Sequence, residues 1–185
     1  MDTRFYFAAC QAGAEKAVKA EVLSEHPQLR FAFSRPGFVT FKDADCGDIP
    51  RILRKGIFTR LWGEVVSQTR DQQELPALLS LIPRGAIVQR FDRDQYVPGD
   101  EPEGFSRDAK ISAILAEHAE ILSKAEPRVG DKVYSLIWVD DFHVFLGLHA
   151  HVDRLSPFPG NAPVIPIPTE SPSRAYLKLE EAIYR

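Results

Sequence analysis

Between Arg4 and Thr69 the hydrophobic period switches repeatedly between two and about 3.6, and this succession constrains the fold more than any other feature of the sequence. Arg4-Phe-Tyr-Phe-Ala-Ala-Cys10 is aromatic and apolar, as a strand requires, and Gln11-Ala-Gly13 breaks it. Over 14–26 the apolar Ala17, Val18, Ala20, Val22 and Leu23 fall at helical spacing among Glu15, Lys16, Lys19, Glu21 and Glu25, and Pro27 follows. Residues 29–34 alternate, Arg35-Pro-Gly37 turns the chain, and 38–41 resume the alternation, which predicts a hairpin. A second helix is expected over 48–55, with Asp48 as N-cap, Pro50 in the first turn and Gly56 near its end. A strand over 60–69 closes the series.

The resulting order, β-α-β-β-α-β, predicts an α+β fold whose first unit, residues 1–70, is ferredoxin-like: a four-stranded antiparallel sheet with both helices on one face. After Asp71 the pattern restarts. A short helix over 74–81 and a strand over 86–91 precede a polar loop, 92–105, rich in Asp, Pro and Gly. Ser106 or Asp108 then caps a longer helix reaching about residue 124, with Ile111, Ile114, Leu115, Ala119 and Leu122 as its inner stripe. Strands over 132–139 and 142–150 flank Asp140-Asp141, read as a turn without the usual glycine, so 71–152 form a second α/β unit. Residues 153–172 carry Pro157, Pro159, Pro163, Pro166, Pro168 and Pro172 and no sustained period, which predicts an extended, stiff linker. Ser173 caps a last helical pattern with Leu177, Leu179, Ala182 and Ile183, and 173–185 are expected to open a further domain that continues past Arg185.

Composition removes whole classes. Hydrophobic residues make up 44% and charged residues 26% of the chain, so it can build a globular core, and disordered, collagen-like and coiled-coil readings fall away. The longest apolar stretch, 133–150, is interrupted by Asp140, Asp141, His143 and His149, against a membrane span of about 20 apolar residues. Met1-Asp2-Thr3-Arg4-Phe5 has no secretory pattern, and the two cysteines, Cys10 and Cys46, read as reduced thiols, so a cytoplasmic location is expected. A net charge of −3 supplies no overall attraction to a polyanion, so any RNA must meet a local basic patch.

The tail Ser171-Pro-Ser-Arg-Ala-Tyr-Leu-Lys-Leu-Glu-Glu-Ala182 resembles the entry to the catalytic domain of FtsJ-like RNA ribose 2′-O-methyltransferases, Ser-Arg-x-x-x-Lys-Leu-x-Glu. With its preceding proline it is similar to RlmM-type enzymes, which methylate a cytidine ribose of large-subunit ribosomal RNA. Ser156-Pro-Phe-Pro-Gly160 is similar to a Ser-Pro-Phe segment ahead of that motif in the same group. The close similarity covers 156–182; the rest resembles the group in layout, a ferredoxin-like unit followed by a THUMP domain, a small RNA-binding module. The resemblance implies that Lys178 is the first member of a Lys-Asp-Lys-Glu catalytic tetrad, where a lysine orients the ribose hydroxyl and stabilises developing alkoxide. It places the other three members, and the site for S-adenosylmethionine, beyond Arg185. This chain alone is therefore expected to bind no cofactor and to be inactive, with large-subunit ribosomal RNA and its own C-terminal methyltransferase domain as partners and no membrane.

Candidate RNA contacts are Arg51, Arg54, Lys55 and Arg60 in one short stretch, Arg84, Arg90, Arg93, Arg107 and Lys110 around the polar loop, and Arg174 in the tail. For each, a solvated surface charge is the competing reading. Phe31, Phe33 and Phe38 are candidates for base stacking, but alternation on a hairpin assigns them to the core. His143, His149 and His151 lack the cysteine or carboxylate that would complete a metal site and are read as structural or surface histidines, with no metal expected. No phosphate-cradling glycine loop or nucleophile elbow appears. Two functions remain: an RNA-gripping recognition module, or an interaction module that positions or dimerises a catalytic domain without touching RNA.

Overall fold

The computed structural model describes residues 3–43, 56–93, 114–116, 118 and 126–161. The strands are β1 (Arg4–Cys10), β2 (Arg30–Arg35), β3 (Phe38–Asp43), β4 (Thr59–Thr69), β5 (Ile87–Asp92), β6 (Lys132–Trp138) and β7 (Val144–Ala150), and the helices α1 (Glu15–Glu25) and α2 (Leu75–Leu79). All seven strands form one sheet in the order β2-β3-β1-β4-β7-β6-β5. The protein is thus a mixed α/β fold in which the two expected strand groups are joined by β4–β7 pairing, with Glu64 opposite Leu148 and Thr69 opposite Val144. Among the described strands only β5 and β6 run parallel. Parallel neighbours need a long crossover, and the described part of the chain between them is helical at 114–116, with Leu115 buried.

Period-two alternation divides β1 between two cores. Tyr6, Ala8 and Cys10 face α1, where Val18 and Val22 pack on them with Val39, Phe41 and Trp62. Phe7 and Ala9 point to the opposite face, into a cluster with Phe38, Leu61, Ile137, Val139 and Phe145. A third cluster lies under α2 and Leu115: Leu75, Leu78 and Leu79 pack on Leu136, Trp138, Val144 and Leu146. Glu15 ties the start of α1 to the hairpin, its carboxylate accepting from the amides of Gly13 at 3.0 Å and Gly37 at 2.6 Å. Glu21 likewise accepts from the amides of Ile57, Phe58 and Thr59, fixing the entry to β4.

The face opposite the helices is concave. β2 and β7 stand four strands apart in the sheet, roughly 19 Å if it were flat, at about 4.8 Å per step. Yet the rings of Phe33 on β2 and Phe145 on β7 lie 5.9 Å apart. Strong right-handed twist therefore curls the sheet over that face. Arg93, just past β5, holds the curl: its guanidinium donates to the carbonyls of Val139 and of Pro36 in the β2–β3 turn, bringing the two edge strands together. Bulges shape both sides. One between Phe31 and Phe33 puts these phenylalanines on opposite faces, with Phe31 opposite Phe41 and Phe33 opposite Thr40. A second, between Val65 and Ser67, directs both Val65 and Gln68 to the concave face.

Three sequence expectations change. Phe38 is buried and Phe33 partly buried, but Phe31 is 45% exposed beneath the Lys19 ammonium, because the bulge removes it from the hairpin's inner row. The β6–β7 connection spans residues 139–143 and is shaped by a side chain in place of glycine, Asp140 Oδ1 accepting from the amides of Phe142 and His143. The proline-rich segment does not leave the body at once. Residues 155–161 fold back onto the concave face: Gln89 Nε2 donates to the Pro157 carbonyl, Asn161 Nδ2 to the Arg60 carbonyl, and Ser156 N–H to Asn161 Oδ1. The expected helix at 48–55, most of that over 106–124, and the tail helix lie outside the described residues. No helix among the described residues is long and apolar enough to cross a membrane.

Candidate functional site

Residues 155–161 cover one end of the concave face; the other end stays open as a cleft of about 570 Å³. Its lining comes from the start of β1, from Phe33 and Thr40 of the hairpin, from residues 64–68 and Arg70 at the end of β4, and from His143 and Phe145. These positions are far apart in sequence, and only the curl of the sheet brings them together.

His143 is the polar centre of this wall. Its ring is buried, 4.4 Å from the Phe145 ring and 5.3 Å from Phe33, and Nε2 lies 2.8 Å from Gln68 Oε1. Burial pushes its pKa down to about 4; the nearby Arg70 guanidinium pushes the same way, Asp140 opposes, and Arg35 adds to the lowering. At neutral pH the ring is uncharged. With the Gln68 oxygen turned toward it, Nε2–H donates and Nδ1 is an acceptor, an assignment that follows from the amide orientation. Around this pair stand the exposed Arg35, whose guanidinium lies 4.8 Å from the Phe33 ring centre, the exposed Arg70, and the partly exposed Phe5. Glu64 of β4 also borders the cleft, but it stands opposite Tyr6 and so belongs to the helix side of the sheet. The arrangement offers an aromatic wall, neutral hydrogen-bonding groups and a cationic rim.

The sequence-predicted basic residues scatter. Arg60 sits at the start of β4, where it lines a small recess with Arg154. Arg84 is exposed on the turn after α2, and Arg90 lies on the helix side of β5, 4.9 Å over the Trp138 ring. Arg93 is engaged in clamping the sheet, next to the turn that carries Arg35. Arg51, Arg54, Lys55, Arg107, Lys110, Arg174 and Lys178 lie outside the described residues. Sequence reasoning passed over Arg35, Gln68 and Arg70; their only local mark is a position at a strand end. The histidines read as structural are buried, His149 with Nδ1 3.3 Å from Ser135 Oγ. Among the described residues no group of three or more His, Cys, Asp or Glu is placed to hold a metal ion.

No protein-family profile matches the chain. Its curated relatives are named ribosomal RNA large subunit methyltransferase M. The chain is 29% identical over 192 residues to that of Actinobacillus pleuropneumoniae, covering 94% of this chain and 53% of the relative. It is 28% identical over 192 residues to that of Tolumonas auensis, covering 95% and 52%. The chain spans about half the length of the curated relatives it matches. Solved structures similar to it include TrmN from Thermus thermophilus, with a TM-score of 0.44 at 13% identity over 78% of this chain and 45% of that one. A possible methylase from Clostridium difficile 630 gives 0.41 at 13% identity over 80% and 41%.

Proposed function

We propose that the chain is the substrate-recognition part of an S-adenosylmethionine-dependent methyltransferase that modifies a ribose 2′-hydroxyl of large-subunit ribosomal RNA in the cytoplasm. The observation that carries this reading is its similarity, over nearly its whole length, to about half of each rRNA large-subunit methyltransferase relative. In this reading residues 1–70 are a ferredoxin-like unit and 71–152 a THUMP-like unit. Residues 153–172 lead to a methyltransferase domain whose first helix, 173–185, carries Lys178 as a catalytic group.

The order β2-β3-β1-β4 supports the first assignment, since a β-α-β-β-α-β unit with antiparallel pairing places its first strand centrally between the third and fourth. The shared sheet makes both units one body able to hold RNA at a fixed distance from a following domain. The two strand-to-helix turns among the described residues, Gln11-Ala-Gly-Ala14 after β1 and Arg70-Asp-Gln-Gln-Glu74 after β4, follow antiparallel strands and are not the glycine-rich turn of a parallel sheet that holds a nucleotide cofactor. The proposal assigns the donor to the remainder of the parent protein.

The test is binding of ribosomal RNA fragments to this chain at several salt concentrations. Micromolar binding that weakens steeply with salt is expected from phosphate contacts. Salt-insensitive behaviour, with the chain instead capturing the separate methyltransferase domain, would favour the positioning role and reject RNA recognition by this part.

A further inference from the structure

We propose that the open end of the concave face is a binding pocket for one unstacked nucleotide of single-stranded RNA, its base against Phe33 and its phosphates on Arg35 and Arg70. The inference rests on the RNA-recognition reading and deepens it, because it names which part of an RNA enters and where.

The chemistry of the walls selects this ligand. A cleft of about 570 Å³ is within the size range of small-molecule sites and is large enough for a base with its ribose. Phe33 is half-buried with Phe145 behind its ring, and the exposed Arg35 guanidinium lies over the ring 4.8 Å from its centre; a base stacks here when that side chain swings out to a phosphate. His143 and Gln68 are bonded to each other and uncharged as a pair, which suits the donors and acceptors of a base edge and does not suit a phosphate. The phosphates are therefore directed to the rim, where Arg35 and Arg70 are exposed.

Geometry selects the strand. The wall is concave, so a base reaches it only when rotated out of its stack, and an A-form duplex keeps its bases inside. A free nucleotide shares the same chemistry, and the two sources are separable by experiment.

The whole 185-residue chain would be titrated with a fluorescently labelled single-stranded hexanucleotide, the same sequence as a duplex, and an unlabelled nucleoside monophosphate as competitor. The same titrations would follow for Phe33→Leu, Arg70→Gln and the control Arg128→Gln, at an exposed position ahead of β6, with thermal melting to verify the fold. The hexanucleotide is expected to bind tighter than the duplex, and Phe33→Leu and Arg70→Gln each to weaken it about tenfold. Arg128→Gln should leave binding within about twofold. If Phe33→Leu melts early, Gln68→Leu, at an exposed position, replaces it with the same expectation. Unchanged binding of hexanucleotide and ribosomal fragments by these variants overturns the pocket and leaves the RNA-recognition reading standing. A monophosphate that competes as well as the oligonucleotide overturns the strand as the source. Failure of every RNA to bind ends both.

Discussion

Two glycines let Phe7 lie flat across the centre of the sheet. A Cβ built on Gly63 would meet the Leu148 carbonyl oxygen and the Phe7 ring, and one on Gly147 would meet the same ring. Neither neighbour can retreat, since Phe7 is fully buried between strands. Gly147→Ala is therefore expected to lower unfolding stability by about 1–3 kcal/mol, the usual penalty of overpacking, as read from urea denaturation. A buried imidazole acts at the same scale through its proton. His149 has its pKa lowered to about 4, first by burial and then by His151, against 6.5 for the unfolded chain. Between these two values the unfolded state binds the proton that the folded state refuses, so stability is full above about pH 6.5 and drains away as pH falls toward 4. The loss from pH 6.5 to 5 reaches about 2 kcal/mol for this one group, at 1.36 kcal/mol per unit. His149→Gln should flatten that part of the stability curve; an unchanged slope would assign the acid sensitivity elsewhere.

Strands and helices were legible as separate pieces because hydrophobic periodicity is a local property. Arg4–Cys10, the helix over 14–26 and the strand pair near 132–150 stand close to where alternation and turn residues put them. What alternation could not reveal is where it breaks. Phe31 and Phe33 are two apart and read as one inner row, until an extra residue in β2 rotates one of them to the other face. That bulge is set by pairing with β3, and the curl is set by contacts between edges 57 residues apart, neither of which leaves a local sequence mark. The cleft was illegible for the same reason: Arg35, Gln68 and His143 each look ordinary until the sheet bends. Arg93 makes the bend testable. Arg93→Ala removes donors to two carbonyls, at roughly 1–3 kcal/mol, and should speed amide exchange in the Pro36 turn and β3 more than in α1. Arg93→Lys is expected to rescue little, because one ammonium cannot reproduce the fork that reaches both carbonyls.

At the level of the whole molecule, the segment after β7 joins parts that the order of the strands keeps separate. Gln89 on β5, an edge strand, holds the Pro157 carbonyl, and Asn161 reaches the Arg60 carbonyl on the central β4, so residues 155–161 run from one edge of the concave face to its middle. Proline content predicted stiffness here, and stiffness serves docking as well as extension, since a chain with fewer unfolded conformations loses less entropy when it packs. Asn161 is the residue on which this docking turns. Its side chain makes two hydrogen bonds, and its backbone is left-handed with φ 53°, a conformation asparagine tolerates better than alanine. Asn161→Ala loses both bonds and adds strain, together about 2 kcal/mol of local opening. Arg154 is exposed just ahead of the docked stretch and offers a tryptic site whose cleavage needs that opening. Trypsin should therefore cut after Arg154 about thirtyfold faster in Asn161→Ala than in the parent chain, while α1 keeps its amide protection. Equal cleavage rates would mean that the segment opens without breaking these bonds, and the covered end of the concave face would then be as accessible to ligands as the open one.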